Sequence, residues 1–187
     1  MFKRLIFHLL KHVRPVMIGN YKDSKGKKIS QTRVGSSSTI IGNKGLTLSK
    51  NVFIGQYNFI EATNGIVIGT GCQITNFVSV LSHSSHKAIR LYGHQYTSIA
   101  DKKHYGIGSV EIGSFTFIGP HSVIMPSTRI GKGSLVAAYS YVQGEFPDYS
   151  IIGGNPAKVI GDTRKMDKEA LITNPELQCY YDEWTKE

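Results

Sequence analysis

Residues 112–147 read IGSFTFIGPHSVIMPSTRIGKGSLVAAYSYVQGEFP, and the period of this stretch decides the fold. An aliphatic residue recurs at every sixth position: Ile112, Ile118, Ile124, Ile130, Val136 and Val142. Small residues follow several of them, at Gly113, Gly119, Gly131 and Ala137. Neither helical nor simple strand periodicity produces a six. A triangular solenoid does, because each unit is then a short strand plus a corner. The aliphatic residue points into a narrow core, and the small residue relaxes a corner where a bulky side chain would clash. Three units make one coil, so 112–129 and 130–147 fill two coils without a gap. Upstream, Ile54-Gly55, Ile60-Glu61, Ile68-Gly69, Ile74 and Val80 repeat the pattern. Residues 54–65 and 68–85 supply most of two more coils, with a two-residue slip at Gly65–Val67.

The rest of the chain is placed around that core. A chain of 187 residues, 40% hydrophobic and 19% charged, suits one folded domain. Two cysteines, Cys72 and Cys179, make no disulfide framework and have no metal-site spacing, so a reducing cytoplasm is the expected setting. No run of about 18 uncharged apolar residues is present, which excludes a membrane-spanning helix. The net charge of +9 is unevenly spread. Residues 1–33 hold nine Lys/Arg and one acidic residue, whereas the remaining 154 hold thirteen and twelve. A nucleic-acid enzyme would spread its positive stripe over the folded core, so that class is set aside.

Residues 1–33 form a basic leader and turn. In MFKRLIFHLLKHVRP the apolar residues Phe2, Leu5, Ile6, Leu9, Leu10 and Val13 make one helical stripe that Pro15 ends. The stripe suits either an anionic membrane surface, touched through residues 2–14, or packing on the domain or a neighbouring subunit. The β-solenoid domain is expected over 34–162. Its period fails between Ser84 and Gly108, in a His-, Tyr- and Lys-rich stretch that reads as an excursion loop, 84–108. The tail, 163–187, is expected to be a C-terminal helical cap interrupted at Pro175.

The Ile/Val-Gly hexapeptides, the excursion after Val80 and the segment Gly154-Asn155-Pro156-Ala157-Lys158-Val159-Ile160 together resemble the hexapeptide-repeat acyltransferases. Among these the chain is most similar to the O-acetyltransferases of bacterial surface polysaccharides, near the maltose and galactoside acetyltransferases. The resemblance covers about residues 35–162 and implies an all-β solenoid, a left-handed parallel β-helix. It also implies a homotrimer with active sites between subunits, acetyl-CoA as acyl donor and no metal. Gly119, Ala137, Ala138 and Ser140 would line the pantetheine slot, and Pro156, Ala157 and Lys158 would lie toward the phosphates. The family's usual Ala-Gly-Ser is Ala138-Tyr139-Ser140 here, so Tyr139 either crowds the slot or faces outward.

Acetyl transfer to a hydroxyl needs a base at the acceptor oxygen, and histidine suits that task near neutral pH. A developing oxyanion needs a donor, typically a backbone N–H. A single loop histidine is ordinarily a solvated side chain, but His83 and His86 stand where the chain leaves the coil. In the resembled family the base lies eleven residues beyond the position of Ile74, which is Ser85 here. The count favours His86, one residue further, with His83 as second base or orienting partner. Asn58, Glu61 and Asn76 on neighbouring coils could bind acceptor hydroxyls, and His94, His104 and Tyr105 could shape the acceptor pocket. Corner asparagines are equally often turn residues.

Three other readings compete. The runner-up within the family is N-acetylation of a nucleotide-linked amino sugar, with the same fold and a similar base. A carbonic-anhydrase-like zinc site would use His83, His86 and His121, but the second distal histidine it needs is replaced by Pro126 or Thr116. A non-catalytic scaffold would keep the repeats without the His-bearing loop or Asn-Pro-Ala-Lys.

Overall fold

The structure is a computed structural model that describes residues 14–186. The amphipathic helix expected in the leader falls on residues 1–13, outside the described residues. Three parallel sheets form the faces of a triangular prism. The first face stacks Arg33–Gly35, Phe53–Ile54, Gln73–Ile74, Phe117–Ile118, Leu135–Val136 and Ser150–Gly154. The second stacks Thr39–Ile41, Phe59–Glu61, Ser79–Leu81, Val123–Ile124 and Tyr141–Val142. The third stacks Leu46–Leu48, Ile66–Ile68, Val110–Ile112, Thr128–Ile130 and Glu145–Phe146.

The six-residue period becomes three vertical columns of aliphatic side chains. Val34, Ile54, Ile74, Ile118, Val136 and Ile152 are in register on the first face. Ile40, Ile60, Val80, Ile124 and Val142 follow on the second. Leu48, Ile68, Ile112, Ile130 and Phe146 follow on the third. All but Ile40 are buried, and most are fully so. Burial of each such side chain contributes about 1.5–3 kcal/mol, which drives the winding. The small residues do the expected work at the corners. A Cβ on Gly119 would stand 2.6 Å from the Ala138 nitrogen of the next coil, so only glycine lets those two backbones meet there.

One coil precedes those the period reveals, wound from Val34 through Ile40 to Leu46 and Leu48. The two-residue slip also has a structural cause. In the first three coils the third-face strand buries or part-buries two inward residues, as Ile66 and Ile68 do, after a corner lengthened by two. The long excursion leaves from that same corner in the third coil. It has structure of its own: His83–Ser84 pairs antiparallel with Gly106–Ile107, and helix α1 (Ala88–Tyr92) and a 3-10 turn (Gly93–Gln95) lie beyond that stem.

Both ends are closed by antiparallel strands. Met17–Gly19 pairs with Arg33–Gly35, and Ala157–Asp162 folds back on Ser150–Gly154. The tail forms helices α2 (Thr163–Thr173) and α3 (Gln178–Thr185), separated at Pro175. Its anchoring contacts run along a corner. Trp184 packs on Phe115 and Tyr149, and Thr163 Oγ1 donates to the Gly133 carbonyl at 2.7 Å. Among the described residues no helix is long and apolar enough to cross a membrane.

Candidate active site

The second-face strand Phe59–Glu61 points Ile60 into the core, and Glu61 then takes the place that the repeat elsewhere gives to glycine. Its side chain tucks beneath the corner of the next coil and is 3% exposed. Three donors meet it there. The Thr63 N–H donates to Oε1 at 3.0 Å, the Ser82 hydroxyl donates to Oε2 at 2.8 Å, and His83 Nδ1 lies 2.6 Å from Oε2. Ser82 Oγ accepts the Asn64 N–H at 2.9 Å, which aims its proton at the carboxylate.

The electrostatics follow from that enclosure. Burial pushes the Glu61 carboxyl up, but the bonds from Thr63, Ser82 and His83 outweigh it and bring its pKa down to about 2. An ionised carboxylate only accepts, so the ring proton of a neutral His83 sits on Nδ1 and the lone pair on Nε2. The imidazole is half-buried and stacked on Tyr105, with ring centroids 5.5 Å apart. Burial raises the Tyr105 phenol, and Tyr96 and Glu61 raise it further, so it stays protonated. A cavity of about 390 Å³ shares Tyr105 with this site and is lined also by Tyr96, Ala100, Asp101, Lys102 and Ile107. The arrangement is an imidazole oriented by a buried carboxylate, with Nε2 left without a partner among the described residues, a geometry that general-base chemistry requires.

His86, favoured by counting, is exposed, and among the described residues its Nδ1 meets only the Ser84 hydroxyl, at 2.8 Å. The carboxylate partner belongs to His83. Glu61, expected among the residues that bind acceptor hydroxyls, has both carboxylate oxygens engaged inside the protein. Asn58, expected alongside it, is buried too. It is 2% exposed, its Oδ1 accepts the Val78 N–H at 2.7 Å, and it serves as a corner residue between coils. Asn76 remains exposed, with Oδ1 accepting the Gln56 N–H at 2.8 Å. His94 and His104 lie on exposed loop surface. Among the described residues no cluster of three His, Cys, Asp or Glu is placed to hold a metal.

The expected slot residues share another corner, between the first and second faces. Gly119 and Ser140 are buried, Ala137 is half-buried and Ala138 is exposed. Tyr139 faces outward, 72% exposed, in left-handed backbone conformation at φ 60°. It ends a ladder of four stacked rings, Tyr57, Phe77, His121 and Tyr139, with successive centroids 4.8–5.1 Å apart. All four adopt left-handed backbone, which costs about 1–2 kcal/mol per residue and is partly offset by stacking. Pro156 and Lys158 are exposed at the turn joining the last two strands, and Ala157 between them packs against the core.

Residues 109–144 match the family described as bacterial transferase hexapeptide (six repeats). The proposed acetyltransferase SAR2635 of Staphylococcus aureus is 42% identical over 62 residues, 33% of this chain and 30% of that protein. The chain thus aligns with about a third of that relative's length. The proposed lipopolysaccharide biosynthesis O-acetyl transferase WbbJ of Escherichia coli is 28% identical over 128 residues, 68% of this chain and 65% of WbbJ. Among solved structures, the N-acyltransferase AntD from Bacillus cereus, in complex with dTDP and 3-hydroxybutyryl-CoA, superposes with a TM-score of 0.58 at 19% identity. That likeness covers 78% of this chain and 89% of AntD, and concerns the fold. By its repeat and its architecture, the chain folds as a parallel β-helix of six-residue units, and its residues 109–144 carry the repeat of the bacterial transferase hexapeptide model.

Proposed function

We propose that the protein is an acetyl-CoA-dependent O-acetyltransferase of a sugar hydroxyl in a bacterial surface polysaccharide or its lipid-linked precursor. The observation that carries the reading is the 2.6 Å contact between His83 Nδ1 and the buried Glu61 carboxylate, at the corner where the excursion begins. His83 Nε2 takes the proton of the acceptor hydroxyl, and the alkoxide attacks the thioester carbonyl. The tetrahedral intermediate collapses by breaking the carbon–sulfur bond, and the proton held on Nε2 passes to the departing thiolate. Glu61 acts through His83 as a positioning residue, and Tyr105 holds the ring plane from the other side. His86 stands in the turn just beyond the stem as a group at the rim of the site.

The CoA arm fits the corner of Gly119, Ala137, Ala138 and Ser140, where Gly119 lets two coils pack closely, Ala138 is exposed and Tyr139 faces outward. The Ala138 N–H has no bonding partner among the described residues, so it is free to meet a pantetheine amide. Pro156 and Ala157 would border the arm and Lys158 would face the phosphates. This corner and the His83 corner are opposite edges of the second face, so the reading calls for a homotrimer that brings one subunit's His83 to its neighbour's slot. WbbJ supports the O-acetyl and polysaccharide choice over the nucleotide-sugar amine. A cytoplasmic site at the inner membrane face, with residues 2–14 in contact with lipid, fits a membrane-associated acceptor.

Thermal unfolding with and without acetyl-CoA tests the donor. At 100 times its Kd a ligand adds about 2.7 kcal/mol, which a melting curve resolves. A raised melting temperature is the expected result, and no change at millimolar acetyl-CoA would overturn the reading.

A further inference from the structure

In a solenoid, position along the chain is position along the axis, because each coil stacks on the one before it. Within the coils, charge counted along the sequence is therefore charge counted along the axis. Residues 1–50 hold eleven Lys/Arg and one acidic residue, whereas 51–187 hold eleven and twelve. The whole net charge of +9 resides in the leader, the opening hairpin and the first coil.

The hairpin gives that charge a fixed shape. Lys22 and Lys28 face each other across an antiparallel bridge, while Tyr21 and Ile29 pack against the core. The hairpin is thereby seated on the first coil and its lysines are turned out. Lys22, Lys25, Lys27, Lys28 and Lys44 are exposed, and among the described residues none of them is in an ion pair. The one acidic residue, Asp23, is used in the turn, where Oδ1 accepts the N–H groups of Lys25 and Lys27 at 2.9 and 2.8 Å. A cavity of about 570 Å³ lies between this turn and the first coil, with Lys25, Lys27, Lys28 and Lys44 in its lining. On the same end, the edge strand leaves Val16, Met17 and Ile18 exposed by 59%, 39% and 50%.

We infer that this end of the solenoid docks on an anionic bilayer, with the hairpin lysines on lipid phosphates and Val16, Met17 and Ile18 at the headgroup boundary. A soluble polyanion would satisfy the lysines and leave the apolar edge in water, whereas a bilayer surface satisfies both. The sequence of residues 1–13, with Lys3, Arg4 and Lys11 and its apolar stripe, joins the fold at this end and adds to the same chemistry. The prism then stands steeply on the membrane, with His83 two coils above the first, roughly 10 Å further out at one strand spacing per coil. This surface is distinct from residues 2–14 and does not depend on the transferase reading.

The test is co-sedimentation of the full chain with vesicles of phosphatidylcholine alone, or with about one-third phosphatidylglycerol, at low and high salt. The native protein should bind only the anionic vesicles and release in salt. Replacing Lys22, Lys25, Lys27 and Lys28 together by Gln should weaken binding at least tenfold with an unchanged melting temperature. Replacing Lys165 and Lys168 by Gln, at the opposite end, should leave binding within about twofold. A hairpin variant that binds like the native chain overturns the inference. Equal binding to neutral vesicles does the same, and so does a protein that ignores both vesicles and binds heparin instead.

Discussion

Replacing Glu61 by Gln keeps the shape of the buried side chain and changes only what it can accept. Three donors converge on the carboxylate: Thr63 N–H on Oε1, and Ser82 Oγ and His83 Nδ1 on Oε2. The amide oxygen can keep Thr63, but the NH₂ then faces two groups that were donating. His83 relieves the conflict by moving its proton to Nε2, which places a donor where a base is required. Removal of a general base costs about 10²–10⁴ in rate, so kcat should fall by roughly 10³. The Michaelis constant for acetyl-CoA should stay within about twofold, because the proposed slot lies on another corner. Hydrogen bonds to a charged group contribute about 1.5–3 kcal/mol each; Thr63 keeps its bond and the NH₂ donates to the shifted His83, so loss of the third should cost the fold about 1.5–3 kcal/mol. For a chain of this size that lowers the melting temperature by about 4–10 °C. Thiol release with a saccharide acceptor, read beside a melting curve, measures both effects. A folded Glu61→Gln protein with kcat within threefold of the native value would refute the assignment of His83 and Glu61.

The same carboxylate sets an acid limb. Its pKa is lowered from an ordinary value near 4.5 to about 2, so its stabilisation is complete above pH 4.5 and is lost as pH falls through 2. The difference amounts to roughly 3 kcal/mol, and urea midpoints measured across that window should fall less steeply in Glu61→Gln. Ile74→Ala removes a fully buried member of the first column and should cost about 2–5 kcal/mol in chemical denaturation. Gly119→Val drives a side chain into the Ala138 nitrogen and the Val136 oxygen, and should destabilise by about 1–3 kcal/mol. It should also abolish any acetyl-CoA-induced rise in melting temperature, which a mutation acting on stability alone would leave in place.

The parts of this protein most legible in its sequence are those set by repetition. Ile112 to Val142 fall in register because each hexapeptide solves the same packing problem, and the excursion stands out because His and Lys have no place in that core. The first coil is less legible because, of its column residues Val34, Ile40, Leu46 and Leu48, only Val34 is followed by the glycine that flags the other coils. The aromatic ladder left a trace, since Tyr57 and Phe77, and likewise His121 and Tyr139, are one coil apart. Bulky residues in left-handed corners go against backbone preference, so that trace is seen only once the coils are aligned. The His83–Glu61 pair was half legible. The histidine announced itself by leaving the coil, but its partner lies 22 positions earlier, on the coil below. Its one local sign was a charged residue in the glycine place of Ile60-Glu61. Counting from a family spacing favours His86, whereas the carboxylate beside His83 comes into view only when the coils are stacked.

The central claim is a base at His83 acting on a donor bound at Gly119 and Ala138. The most direct measurement follows acetyl transfer from labelled acetyl-CoA to a saccharide acceptor, in the native chain and in His83→Asn, with acetyl-CoA binding measured on both by calorimetry. The account predicts equal acetyl-CoA affinity in the two proteins and a loss of transfer of about 10²–10⁴ in His83→Asn. Transfer undiminished in His83→Asn, or no acetyl-CoA binding by the native chain, would contradict it.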